Sequence, residues 1–205
     1  MKPIWSLLLT ILIWAVTTEA APAQDGSLRL STKADQRICG HAQIRGQEFG
    51  RIASRTKGCG IQKPVSVSSV AGVQLSPAAT MDCSTARSLR RWVQRGLKPA
   101  FRKQGGVKII RVYDHYNCRP RNNVPGAKVS MHGSGRAIDI GSFTLGNGQK
   151  VSILEHWKDP AWSRTLRNLH RKACGPFNTV LGPDHDRAHR NHFHFDTGGR
   201  GRFCR

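Results

Sequence analysis

Ser130-Met131-His132-Gly133-Ser134-Gly135-Arg136-Ala137-Ile138-Asp139 decides the reading of this chain. A histidine and a carboxylate stand in it with two glycines between them. Glycine adopts backbone angles that other residues avoid, so the segment predicts a tight turn that delivers His132. Ile138 and Ile140 flank Asp139, so 137–140 reads as a strand pointing Asp139 to one face. Near the C-terminus stands a second stretch, His192-Phe193-His194-Phe195-Asp196. Period-two alternation puts His192, His194 and Asp196 on one face of a strand. Together the two stretches offer an imidazole, a carboxylate and a second imidazole. That is a three-ligand set suited to zinc, with a fourth position left for water. Taken singly, each pattern is common in proteins without a metal, and it is their conjunction that carries the expectation.

The order Ser-x-His-x-x-Gly-x-Ala-x-Asp followed by His-x-His resembles the zinc D-Ala-D-Ala peptidases and the lysostaphin-like metallopeptidases. More narrowly, the chain resembles the bacterial extensin-like C-terminal domain family. The residues that carry this are Cys39-Gly40, Tyr116-Asn117-Cys118-Arg119, Glu155-His156-Trp157, Leu181-Gly182-Pro183, His189 ahead of His192-Phe193-His194-Phe195-Asp196, and Cys204-Arg205. The resemblance covers about residues 37–205. It implies zinc held by His132, Asp139 and His194, because the second histidine of His-x-His binds the metal in that family. It also implies that Arg119 helps polarise a substrate carbonyl. A loop-holding role over 120–129 is the competing reading of Arg119. The best-known D-Ala-D-Ala peptidases place a glutamate base three residues before the last ligand. Here that position is Asn191, which cannot act as a base. His192 and His189 are the candidates for proton transfer. Asp196 is a candidate to take the spare ring N–H of a ligand histidine, and Ser130 to steady ligand or substrate.

The remainder of the chain bounds the setting. Residues 1–23 read as an export signal, with Lys2 first, an apolar run from Ile4 to Val16, and small residues at Thr18-Glu19-Ala20 or Ala21-Pro22-Ala23. The apolar run falls short of the roughly 20 residues that span a bilayer, so no membrane span is expected after cleavage. An exported protein, periplasmic or secreted, follows. Lys plus Arg is 33 and Asp plus Glu is 12, giving +21. Such a charge draws a protein to polyanions, here peptidoglycan or another anionic wall polymer, and export argues against nucleic acid. Cys39, Cys59, Cys83, Cys118, Cys174 and Cys204 make an even set without any C-x2-C pair. In an oxidising compartment they predict three disulfides, with the pairing left open by spacing.

Residues 24–38 read as a flexible lead, and 39–205 as one domain with an irregular N-terminal part over 39–70. A short strand is expected at 71–76. A helix is expected from Asp82 to Lys103, with Ala86, Leu89, Trp92, Val93 and Leu97 as its apolar stripe and a break near Gly96 and Pro99. A strand follows at 107–112, a hairpin turn at Leu145-Gly146-Asn147-Gly148 with its return strand at 149–154, a helix at 160–173 opened by Pro160, and a strand at 176–181. Glu155 reads as a helix-start carboxylate with a site role as the lesser option, and His185 as an exposed loop residue. Helices and strands alternate without βαβ regularity. The expected fold is α+β: a small, largely antiparallel sheet flanked by helices, D-Ala-D-Ala-peptidase/hedgehog-like and disulfide-stapled.

The expected function is a zinc metallopeptidase hydrolysing amide bonds in the peptide stems or cross-links of bacterial peptidoglycan. The alternative is a non-catalytic, zinc-holding module that docks on the wall or a polysaccharide. A nuclease built on His192 and Asn191 is a weaker rival that export disfavours. Nothing in the sequence supports a link to plant cell-wall glycoproteins, since it has no Pro-rich repeat.

Overall fold

A computed structural model of the chain describes residues 35–199 and 201–205. The predicted export signal, and the lead up to residue 34, lie outside the described residues. The elements run β1 (Gln36–Ile38), β2 (His41–Glu48), β3 (Pro64–Val70), β4 (Val73–Asp82), α1 (Cys83–Trp92), a π-helical turn (Val93–Leu97), α2 (Lys98–Ala100) and β5 (Val107–Asp114). They continue with β6 (Ala137–Leu145), β7 (Lys150–Ser152), α3 (Ile153–His156), α4 (Ser163–Ala173), β8 (Thr179–Leu181), β9 (Phe193–Asp196) and β10 (Phe203–Cys204).

The domain is mixed α+β, but its sheet is large. Ten strands run in the order β1-β2-β3-β4-β5-β6-β9-β8-β10, with β7 also on β6. Pairing is antiparallel except at β4–β5 and β8–β10. The expected small sheet is therefore corrected, and the reason lies in residues 36–70. Their polar composition reads as loop, yet Pro-Val-Ser-Val-Ser-Ser-Val of β3 buries Val65, Val67 and Val70 and turns its serines outward. β2 buries only Ile44 and Gly46, which is how a strand near the edge behaves. The strand expected at 71–76 is instead a turn at Ala71-Gly72 followed by the longer β4.

The long helix expected at 82–103 also breaks up. Asp82 caps α1, its carboxylate accepting from the Thr85 N–H at 2.7 Å. Regular helix ends at Trp92. Pro99 has no N–H to bond one turn back, and the chain widens into the π turn before it. α4 starts at Ser163, so Pro160 lies in the preceding turn and not in the helix. β8 is shorter than expected, and β9 begins at Phe193, leaving His192 in the loop before it.

One face of the sheet holds the apolar core. α1 packs on β2, β3 and β4, and α4 on β8. Trp92, Phe101, Phe143, Phe177, Phe193 and Phe195 are fully buried. Trp92 meets Phe195 edge-on at 5.1 Å and donates its indole N–H to the Leu169 carbonyl at 3.0 Å. Each such ring contributes roughly 1.5–3 kcal/mol by burial. Every residue of β9 is buried, so the opposite face is covered as well. Three disulfides, Cys39–Cys83, Cys59–Cys118 and Cys174–Cys204, use all six cysteines. The first ties β1 to α1, the second fixes the segment after β5, and the third binds β10 to the end of α4.

Candidate metal centre

β6 and β9 are the two central strands of the functional face, and their register decides the site. Asp139 lies directly opposite His194. Ile138, Ile140, Phe193 and Phe195 enter the core, so Asp139 and His194 turn to the other face. His132 arrives from a 3-10 turn, Met131–Ser134, just ahead of β6. The Ser130 hydroxyl caps that turn by accepting from the His132 N–H at 3.4 Å. Gly135 ends it at φ +67°, and a Cβ there would fall 2.2 Å from Ile61 Cδ1. Only glycine satisfies both the backbone and the space.

His132, Asp139 and His194 form a buried group whose donor atoms converge and could hold a metal ion. His132 Nε2 stands 3.2 Å from Asp139 Oδ1 and 3.2 Å from His194 Nδ1. His194 Nδ1 stands 2.8 Å from Asp139 Oδ1. Bonds of about 2.0–2.1 Å to a tetrahedral ion put neighbouring donors about 3.3 Å apart, so the spacing fits. The outer nitrogens fix the tautomers. His132 Nδ1–H donates to the His115 carbonyl at 2.6 Å, and His194 Nε2–H donates to Asp196 at 3.2 Å. Each ligand histidine thus directs a bare nitrogen inward, toward a carboxylate oxygen. Three lone pairs at this distance require a cation between them. Without a metal a proton must serve, and the electrostatics show it. Burial opposes charge on His194, but hydrogen bonds to Asp139 and Asp196 push it up to about 9. Burial likewise opposes ionisation of Asp139, yet His132 and His194 hold it well below the usual carboxylate range.

A cleft of about 790 Å³ opens over this group. Ser130, Arg119, His189, His192 and Asp196 all line it, so the structure gathers these candidates around the trio in one place. Asp196 accepts from His194, the arrangement expected of it. Arg119 donates Nε and Nη2 to Asp114 at 3.1 and 2.7 Å, and its Nη2 lies 3.9 Å from the outer oxygen of Asp139. His192 stands with Nε2 3.5 Å from that same oxygen and Nδ1 2.8 Å from Asn191 Oδ1. Burial and the neighbouring histidines outweigh Asp139 and lower its pKa to about 4, so it is neutral at pH 7. Glu155 is exposed in the first turn of α3 and plays no part in the cleft. His185 is, as expected, an exposed residue of a turn, and it stands at the cleft with its ring edge-on to Phe203.

Two residues of the site escape sequence reading. Asp114, the partner of Arg119, is reached only through the β5–β6 register, which sets it opposite Asp139. Asp186 holds His189: its Oδ1 accepts from the His189 backbone N–H at 3.0 Å and from Nδ1–H at 2.6 Å. The spacing Asp-x-x-His at a turn start is the available signal for that pair.

No curated protein and no solved structure matches this chain. The family model for the extensin-like protein C-terminus matches residues 37–205. That match takes in the whole described domain apart from its first two residues, and so the chain belongs to the extensin-like protein C-terminus family.

Proposed function

We propose that this protein is an exported, zinc-dependent peptidase that hydrolyses amide bonds in the peptide stems or cross-links of bacterial peptidoglycan. The observation that carries it is the inward-facing His132–Asp139–His194 trio at the floor of an open cleft. Two imidazoles and one carboxylate are the donor set of a hydrolytic zinc site that keeps a place for water. Bound zinc would supply a Lewis acid and a water whose pKa is near 7. The chain's own residues do the rest. Asp196 and the His115 carbonyl orient the ligand rings. Arg119, anchored by Asp114, sets a guanidinium beside the site where a substrate carbonyl can accept from it. The neutral histidines of the cleft wall take and return protons.

Three disulfides suit an oxidising compartment, and no described helix is long and apolar enough to cross a membrane. The +21 charge supports an anionic wall polymer as the partner. The same charge is the one observation favouring a binding module that holds zinc without using it. A digest of cross-linked muropeptides by zinc-loaded protein, read by mass spectrometry, separates the two. New free amino and carboxyl termini are expected. Wall binding with no cleavage overturns the peptidase reading in favour of the module.

A further inference from the structure

Three histidines outside the trio line the cleft; His185 is exposed, with Nε2 3.5 Å from Asp186, while His189 and His192 flank the trio in surroundings that differ in kind. His192 donates its Nδ1–H to the neutral amide oxygen of Asn191 at 2.8 Å, and its Nε2 lies 3.5 Å from the outer oxygen of Asp139 without a hydrogen bond to it. His189 is placed otherwise. Its Nδ1 carries the proton, because a carboxylate oxygen of Asp186 can only accept the 2.6 Å hydrogen bond. Its Nε2 is therefore the bare nitrogen, and no hydrogen bond to a described residue occupies it. The ring is buried to 6 % exposure on the cleft wall, with centroids 5.2 Å from His192 and 5.7 Å from His194.

The pair is also rigidly mounted. Asp186 grips both the backbone and the ring of His189. The loop before it is pinned by Asp184, which accepts from the Trp157 indole at 2.7 Å and from Arg167, whose guanidinium lies over the Trp157 ring. A fixed ring on the cleft wall, with one nitrogen held by a carboxylate and the other bare, is what a proton carrier requires.

We infer that His189, backed by a carboxylate where His192 has only an amide, is the proton carrier of the site, and that Asp186 is its positioning residue. The inference rests on the hydrolase reading. As the water oxygen bonds to the carbonyl carbon, His189 Nε2 takes one proton from it. As the C–N bond breaks, the same proton passes to the departing nitrogen. The imidazole ends neutral, and water's second proton goes from the new carboxyl group to the amine, so the products are a carboxylate and an ammonium ion.

Two readouts test this in the full-length exported protein. The first is ¹⁵N NMR of the ring nitrogens at pH 7, with and without zinc. His189 is expected as the Nδ1–H tautomer, and Asp186→Ala to release it into a mixture, while Asp186→Glu restores it in part. The second is hydrolysis of cross-linked muropeptides with zinc content measured alongside. His189→Ala should keep its zinc and lose roughly 10²–10⁴-fold in kcat with KM little changed. Asp186→Ala should fall in kcat too, with Asp186→Glu recovering part of it. His192→Ala should keep its zinc and most of its rate. An Nε2–H tautomer in wild type, or His189→Ala cleaving at the wild-type rate, overturns the assignment. So does His192→Ala that holds its zinc and loses rate as His189→Ala was expected to. If wild type cleaves nothing, the hydrolase reading falls and the carrier role with it, whereas the Asp186–His189 pairing stands or falls on the NMR alone.

Discussion

The demand of the metal trio for a cation can be measured without any substrate. In the metal-free protein that cation is a proton on His194, held by Asp139 and Asp196. His194 is pushed from 6.5 up to about 9, so the folded state keeps a proton that the unfolded chain gives up. The stability this contributes is fully present below pH 6.5 and is lost as pH rises through about 9. The gap between those two values corresponds to about 3 kcal/mol. Urea unfolding by circular dichroism, in chelator, at steps from pH 6 to pH 9.5, should show a decline of that order. Asp139→Asn removes one of the two carboxylates that raise His194 and leaves Asp196, so its profile should be flatter across the same window by part of that amount. Zinc takes the proton's place, and in excess zinc the wild-type decline should disappear. Parallel profiles for wild type and Asp139→Asn in chelator would refute the account of a proton held by Asp139. A decline untouched by zinc would refute the claim that proton and metal compete for one position.

Three further outcomes are expected. Wild type is expected to bind a single zinc in equilibrium dialysis, and His132→Ala and His194→Ala should each lose it while near-ultraviolet circular dichroism stays native. Replacing Cys59 and Cys118 with serine opens a bridge across a separation of 59 residues, which should cost about 4 kcal/mol in chemical denaturation and loosen the segment that presents Arg119. Gly135→Ala forces a side chain into φ +67° and against Ile61, so it should cost about 2 kcal/mol or more, a fall of roughly 4–8 °C in Tm, and should weaken zinc binding as well.

The sequence made the site more legible than the fold. His132, Asp139 and His194 stand out because metal ligands need particular atoms, and few residue types supply them. Asp196 follows from period-two alternation, since a strand repeats exposure every second residue. β1 to β3 escape because strands near a sheet edge bury few side chains and so carry a weak hydrophobic signal; Ile44 and Gly46 are all that β2 hides. The helix expected to Lys103 was misjudged at the π turn, where the apolar stripe continues but the backbone hydrogen bonds change partners around Pro99. Asp114 and Asp186 were out of reach for a further reason. Their partners are chosen by strand register and by a loop pinned to Trp157 and Arg167, neither of which has a local signature.

The direct pairing of Asp139 with His194 across β6 and β9 has a consequence for how this domain can vary. Two ligands fixed by one rung of a backbone ladder tolerate changes of composition around them far better than changes of length. Adding or removing one residue within either strand rotates that ligand through the sheet into the Phe193–Phe195 side, where no cation can follow. The loop from 182 to 192 is under no such constraint along its first part, ahead of Asp184. Homologous domains should therefore differ by insertions there, beside the cleft mouth, while the count of residues in β6 and β9 stays the same.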